Sequence, residues 1–187
     1  TIADLQQKGY NGRDIRFFLL GMNYRKPLNF SEKALQMARN TIKKMDTFIY
    51  RLSAINDDVL NFPDVDQVIY DLHHGFEKAL DDDINISGAL AALFDFIGKL
   101  NVPLTEGKIG RTDARKVINA LDKINEILGI MDFGKQAPNP DIKELIQKRD
   151  SARKAGLWQE ADRLRNQLAA AGVEILDSEQ GTIWRFK

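Results

Sequence analysis

From Leu35 onward the apolar residues fall at 35, 38, 42, 45, 49 and 52, steps of three and four that put all six on one stripe of a long helix. The same step recurs through Val65, Val68, Leu72, Phe76 and Ala79, through Leu90, Leu93, Ile97 and Leu100, and through Val117, Leu121, Ile124 and Leu128. Four amphipathic helices need one another's apolar faces, which predicts a bundle. Ser31 is placed to cap the first stripe. Ahead of it, Ile15, Phe17, Phe18, Leu19 and Leu20 form a dense apolar patch that predicts a short buried helix and brings the bundle to four or five helices.

After Met131 the pattern breaks at Asp132-Phe133-Gly134-Lys135-Gln136-Ala137-Pro138-Asn139-Pro140, where Asn139 can cap and Pro140 can begin the next helix. A charged helix to Lys154, a break at Gly156 and a second helix through Ala161, Leu164, Leu168 and Ala171 follow, stopping at Gly172. The period then changes to two: Val173 to Asp177, a turn at 178–181, and Thr182 to Phe186 read as a β-hairpin. The expected fold is therefore mainly α: a helical bundle over 1–131, a linker over 132–140, and an α+β mini-domain of two helices and a hairpin over 141–187.

Lys+Arg and Asp+Glu both number 27, so no overall positive charge points to nucleic acid, and any RNA contact must come from a local surface. Cysteine is absent, which excludes disulfides, thiolate metal sites and a cysteine nucleophile in these residues and fits a reducing compartment, with the cytoplasm as the expectation. No apolar run is long enough for a membrane span, and neither a membrane nor DNA is expected as a partner. Asp81-Asp82-Asp83-Ile84-Asn85 opens like a calcium loop, but Ile86 replaces the turn glycine and Ala92 the bidentate glutamate, so it reads as an acidic helix end. His73 and His74 are adjacent and diverge on a helix. No triad context and no phosphate loop occur, and no catalytic residue or metal site is assigned.

The terminal segment combines Arg149, Arg153, Lys154, Arg163, Arg165 and Arg185 with two exposed-looking indoles, Trp158 and Trp184. Stacking faces, guanidinium forks and carboxylates can read unstacked RNA bases. The same residues can equally be the core and solvated helix face of a mini-domain too small to do without large side chains, and residue types alone favour that reading.

The order of the residues adds to this. Arg149-Asp150-Ser151-Ala152-Arg153, Ala161-Asp162-Arg163-Leu164-Arg165, Gly172-Val173-Glu174-Ile175-Leu176-Asp177 and Gln180-Gly181-Thr182-Ile183-Trp184-Arg185 resemble the terminal signature of cysteinyl-tRNA synthetases. Gly12-Arg13-Asp14-Ile15-Arg16 is similar to the start of the helical anticodon-binding domain of several class I synthetases. Asn23-Tyr24-Arg25 resembles the family's H-Y-R segment with Asn23 for His, and Leu80 to Asn85 its D-D-[LF]-N-T stretch with Ile86 for Thr. Thr1 to Leu5 looks like the segment after the KMSKS loop, so catalysis is expected to lie outside this chain.

The resemblance implies a parent enzyme that uses ATP and zinc to ligate cysteine to tRNA(Cys), with no cofactor in these residues. The partners it implies are tRNA(Cys) and the catalytic domain of the same polypeptide. It also implies that Arg153, Trp158, Asp162 and Asp177 read the anticodon, with Trp158 stacking, Arg153 on an acceptor edge and the carboxylates on N–H donors. Arg165 and Arg185 are expected on backbone phosphate. The competing readings are a helical protein-interaction module and a cysteine ligase with a small amine acceptor.

Overall fold

The computed structural model describes residues 1–22, 24–25, 27–58, 62–133, 140–178 and 181–186; the side chains of 140, 176–178, 181, 183 and 185–186 lie outside the description. Among the described residues the order is α1 (Ile2–Gln7), α2 (Gly12–Leu20), α3 (Glu32–Ser53), α4 (Val65–Asp81), α5 (Ile86–Thr105), α6 (Arg111–Leu128), α7 (Pro140–Lys154), α8 (Trp158–Ala170), β1 (Val173–Ser178) and β2 (Gly181–Phe186). Two compact units result, Thr1–Phe133 and Gly134–Lys187. The division falls within the 132–140 segment; 134–139, including Asn139, lie outside the described residues, as do Asn23 and Lys26.

In the first unit the four stripes meet. Leu35, Ala38, Ile42, Met45, Ile49 and Leu52 are all buried, together with Leu72, Phe76, Leu93, Leu100, Leu121 and Leu128, whereas Ala79 and Ile97 are only partly covered. Ser31 caps α3, its hydroxyl accepting from the Ala34 amide at 3.2 Å. Helices α4 and α5 approach closely because small residues line the seam. A Cβ added at Gly75 would lie 3.2 Å from that of Ala92, and one at Gly88 3.1 Å from that of Ala79.

Two expectations need correction here. Among the described residues the unit has six helices, because the short α1, with a capping box at Thr1 and Asp4 and no apolar stripe, precedes the others. And α2 is not buried all round: Ile15 and Phe18 face inward, but Leu19 is 47% exposed. Its polar residues are ties rather than gaps. Arg13 donates to the Ile130 carbonyl at 2.9 and 2.7 Å and pairs with Asp46, and Arg16 donates to the Leu128 and Ile127 carbonyls. Arg16 thus covers two open carbonyls at the negative dipole end of α6, and Arg13 holds the chain just beyond it. Asp14, 1% exposed, completes the α2 capping box with Asn11 and accepts from Arg39 at 3.0 Å.

The ends of α6 show how loops close this unit. Gly110 offers no side-chain cap, so Asp58 supplies one from the loop after α3, accepting from the Thr112 amide at 3.1 Å and Arg111 at 2.6 Å. Asp113, 3% exposed, accepts from the Phe62 amide at 2.7 Å. At the far end Gly129 takes φ +61° directly beneath Arg16, where an added Cβ would sit 3.0 Å from Nε. Asn125 Oδ1 accepts from the Ile130 and Met131 amides, both at 2.8 Å.

The second unit folds two antiparallel strands against a helical hairpin. Ile175 pairs with Trp184 and Asp177 with Thr182. Ile146, Leu168, Val173 and Ile175 form the core, with Ile142, Leu145 and Trp184 packed on it. Ala152, Ala161 and Leu164 pack where α7 meets α8. Trp184, expected as an exposed indole, is therefore a partly buried packing residue.

Candidate functional site: an exposed indole stripe on the terminal unit

Gly156 sets the geometry of the site. With φ +71° it lets the Leu157 amide bond the Ala152 carbonyl at 2.9 Å and its own amide bond that of Arg153 at 3.0 Å, closing α7 in a Schellman turn. Two residues later α8 starts at Trp158. Arg153 in the last turn of α7 and Trp158 in the first of α8 are thus brought to the same end of the unit.

On α8 the buried positions are Ala161, Leu164 and Leu168. The other face carries Trp158, Asp162 and Arg165, all exposed, at spacings of four and three that align them in one stripe. At 1.5 Å rise per residue Asp162 stands about 6 Å along the axis from Trp158, and Arg165 about 10 Å. Trp158 is 63% exposed beside Leu157 at 58%. The core reading of this indole fails, since it is mostly exposed and belongs to neither buried cluster among the described residues of the unit.

Asp177 and Arg185 are placed only by backbone register, Asp177 opposite Thr182 and Arg185 opposite Glu174. Thr182 accepts from Arg149 at 2.9 Å and donates to Asp150, and Arg149 lies one helical turn before Arg153. The hairpin therefore returns the Asp177–Thr182 rung to the C-terminal end of α7.

The six cations do not form one surface. Arg149 is 3% exposed and ties α7 to β2, which removes it from any RNA-reading set. Arg163 donates to both oxygens of Glu160, at 2.9 and 2.6 Å, holding the Glu160 carboxyl below its usual range. Arg153 is half-buried, while Lys154 and Arg165 are exposed. Sequence reasoning missed the structural employment of Arg149, for which the only signal is its spacing of three from Ile146 and Ala152.

In the first unit α3 supplies a second surface. Lys33, Lys43 and Lys44 are exposed and Arg51 is half-buried, while the helix's two acids are engaged, Glu32 with Lys8 and Asp46 with Arg13. An open cleft of about 720 Å³ runs beside it, lined by Lys44, Phe48, Arg51, Phe94, Ile97 and Asn101. The Asp81–Asn85 segment ends α4 and caps α5, Asn85 accepting from the Gly88 amide at 2.9 Å. His74 stacks on Tyr70 at 5.9 Å. No helix among the described residues is long and apolar enough to cross a membrane.

A helical body followed by a small α+β unit with an exposed indole is the arrangement to be matched to a class of module. Residues 75–132 match the DALR domain, and residues 138–185 match the cysteinyl-tRNA ligase anticodon binding domain. The chain belongs to the cysteinyl-tRNA ligase family, in its anticodon-binding region. Among its relatives, the cysteine–tRNA ligase of Chlamydia muridarum is 35% identical over 191 residues, covering 97% of this chain and 40% of the relative. That of Chlamydia felis is 37% identical over 183 residues, covering 97% and 38%. That of Protochlamydia amoebophila is 34% identical over 184 residues, with the same coverage of 97% and 38%. The chain spans about two fifths of the length of the curated relatives it matches.

Proposed function

We propose that this chain binds tRNA(Cys), the terminal unit reading the anticodon and the bundle lying along the inner side of the tRNA through phosphate and sugar contacts. The observation that carries the reading is the stripe of Trp158, Asp162 and Arg165, an aromatic face, an acceptor and a cation aligned on solvent at one end of a small unit. Trp158 stacks on a base, Arg153 takes an acceptor edge, Asp162 and Asp177 take N–H donors, and Arg165 and Arg185 take phosphate. For the bundle, the outer face of α3 offers a local run of cations in a chain of zero net charge, which suits phosphate contacts.

The parent is a cytoplasmic ligase joining cysteine to tRNA with ATP, with its catalytic domain in the same polypeptide. ATP and zinc belong to that domain, and no residue of this chain is assigned to either.

The test is binding of the chain to unmodified cysteine tRNA and to an anticodon-substituted control at two salt concentrations. Preference for the native anticodon, lost in Trp158→Ala and Asp177→Ala, supports the reading. Equal and steeply salt-dependent binding to both would reduce it to nonspecific phosphate attraction.

A further inference from the structure

The turn between α4 and α5 contains two consecutive non-glycine residues at positive φ, Asp83 and Ile84, both at +53°. Aspartate tolerates the left-handed region; a β-branched isoleucine does so only under constraint, because its branched Cβ crowds the backbone. Burial does not supply the constraint here, since Ile84 is 61% exposed.

What holds the turn comes from a segment about sixty residues earlier. The Tyr24 hydroxyl donates to Asp83 Oδ1 at 2.8 Å, and Arg25 Nη2 approaches Oδ1 at 2.9 Å and Oδ2 at 2.7 Å. Arg25 Nε also donates to the Tyr24 hydroxyl at 2.9 Å, closing a triangle of three side chains on one carboxylate. The two motif segments around Tyr24 and Asp83, far apart in the chain, are thus joined by hydrogen bonds. The backbone on the turn side is equally determined: the Ile84 amide bonds the Leu80 carbonyl and the Asn85 amide that of Ala79, both at 3.0 Å. Asn85, at φ −69° and ψ 77°, then carries an inverse γ-turn into α5, the Ile86 amide bonding the Ile84 carbonyl at 2.7 Å.

We infer that Asp83 is a latch: its carboxylate, gripped by Tyr24 and Arg25, holds the α4–α5 turn in a strained left-handed pair and ties the loop before α3 to that turn. The coupling is reciprocal, so whatever engages Tyr24 or Arg25 releases the turn, and whatever relaxes the turn frees the loop. Tyr24 is 64% exposed and both ends of the ion pair are more than half exposed, so the latch is reachable from solvent and weakened by salt.

The experiment uses the full chain, with thermal melts and amide hydrogen exchange on the parent, Asp83→Ala, Tyr24→Phe, Ile84→Asn and the Asp83→Ala/Ile84→Asn double variant. Asparagine accepts positive φ while keeping a side chain, so it relieves strain without the added unfolded-state freedom of glycine. Ile84→Asn should raise the parent melting temperature by about 2–4 °C, and the gain should shrink in the Asp83→Ala background, where the turn has already relaxed. Exchange at the Ile84 to Ile86 amides should accelerate about tenfold or more in Asp83→Ala and in Tyr24→Phe, with the Leu93 amide unchanged. A neutral or lower melting temperature in Ile84→Asn would show that the turn stores no strain. An equal gain in both backgrounds, or unchanged exchange in Asp83→Ala and Tyr24→Phe, would show that Asp83 does not hold it. Either result overturns the latch.

Discussion

Trp158 and Trp184 are chemically identical and play opposite parts. Trp184 lies opposite Ile175 on the hairpin and is pressed against the Ile146–Leu168 core, whereas Trp158 opens α8 with its ring in solvent. An indole 63% exposed contributes little hydrophobic free energy within the unit, so Trp158→Ala should shift the melting temperature by no more than about 2 °C. The same variant should lose about 1–3 kcal/mol in affinity for cysteine tRNA, read from a binding titration. Arg149→Ala should do the reverse. It removes the tie to Thr182 and leaves a buried void, so the second unit melts earlier, by about 1–3 kcal/mol in a denaturant titration, with tRNA affinity falling only as that unit unfolds.

Helix termini decide how the elements meet. The last carbonyls of α6 are met by Arg16 and an amide at its start by Asp58, while just past its end Arg13 takes the Ile130 carbonyl and Asn125 accepts from the Ile130 and Met131 amides, so one helix is fastened at both ends by side chains, three of them distant in sequence. Asn125→Ala should cost about 1–3 kcal/mol by leaving the Ile130 and Met131 amides without their acceptor, checked by urea denaturation of residues 1–133 within the full chain. The Asp58 carboxyl is held below its ordinary value of 3.8 by the hydrogen bond from Arg111 and the amide of Thr112. A depressed acid stabilises the fold at pH above its unfolded value and loses that contribution as pH falls through its folded value. Between about pH 5 and 2, stability should therefore fall less steeply in Asp58→Asn than in the parent, as read from melts across that range.

At the scale of the molecule each unit carries its own core, and each can be damaged separately. Phe76, 1% exposed, sits among α4–α6 residues, and Phe76→Ala should cost the six-helix unit about 3–5 kcal/mol; Leu168, fully buried, anchors the other unit, and Leu168→Ala should cost it about 2–5 kcal/mol. Residue-resolved hydrogen exchange distinguishes the two losses.

The four stripes, the Ser31 cap, the Pro140 start, the Gly156 and Gly172 stops and the change to period two were legible in the chain itself, because each is a local pattern that chain geometry converts directly into an element. Trp158, Asp162 and Arg165 were singled out together only through the order of residues shared with a family, and their alignment in one exposed stripe was seen once α8 was in place. Which indole is core and which is free was not legible, because that depends on where the hairpin folds back. Nor could spacing show that Arg13, Arg16 and Arg149 bind within the fold while Arg165 faces solvent, or that Tyr24 and Arg25 meet Asp83. A guanidinium looks the same in sequence whether it faces water, a helix end or a carboxylate, and only the tertiary structure brings its acceptor within reach.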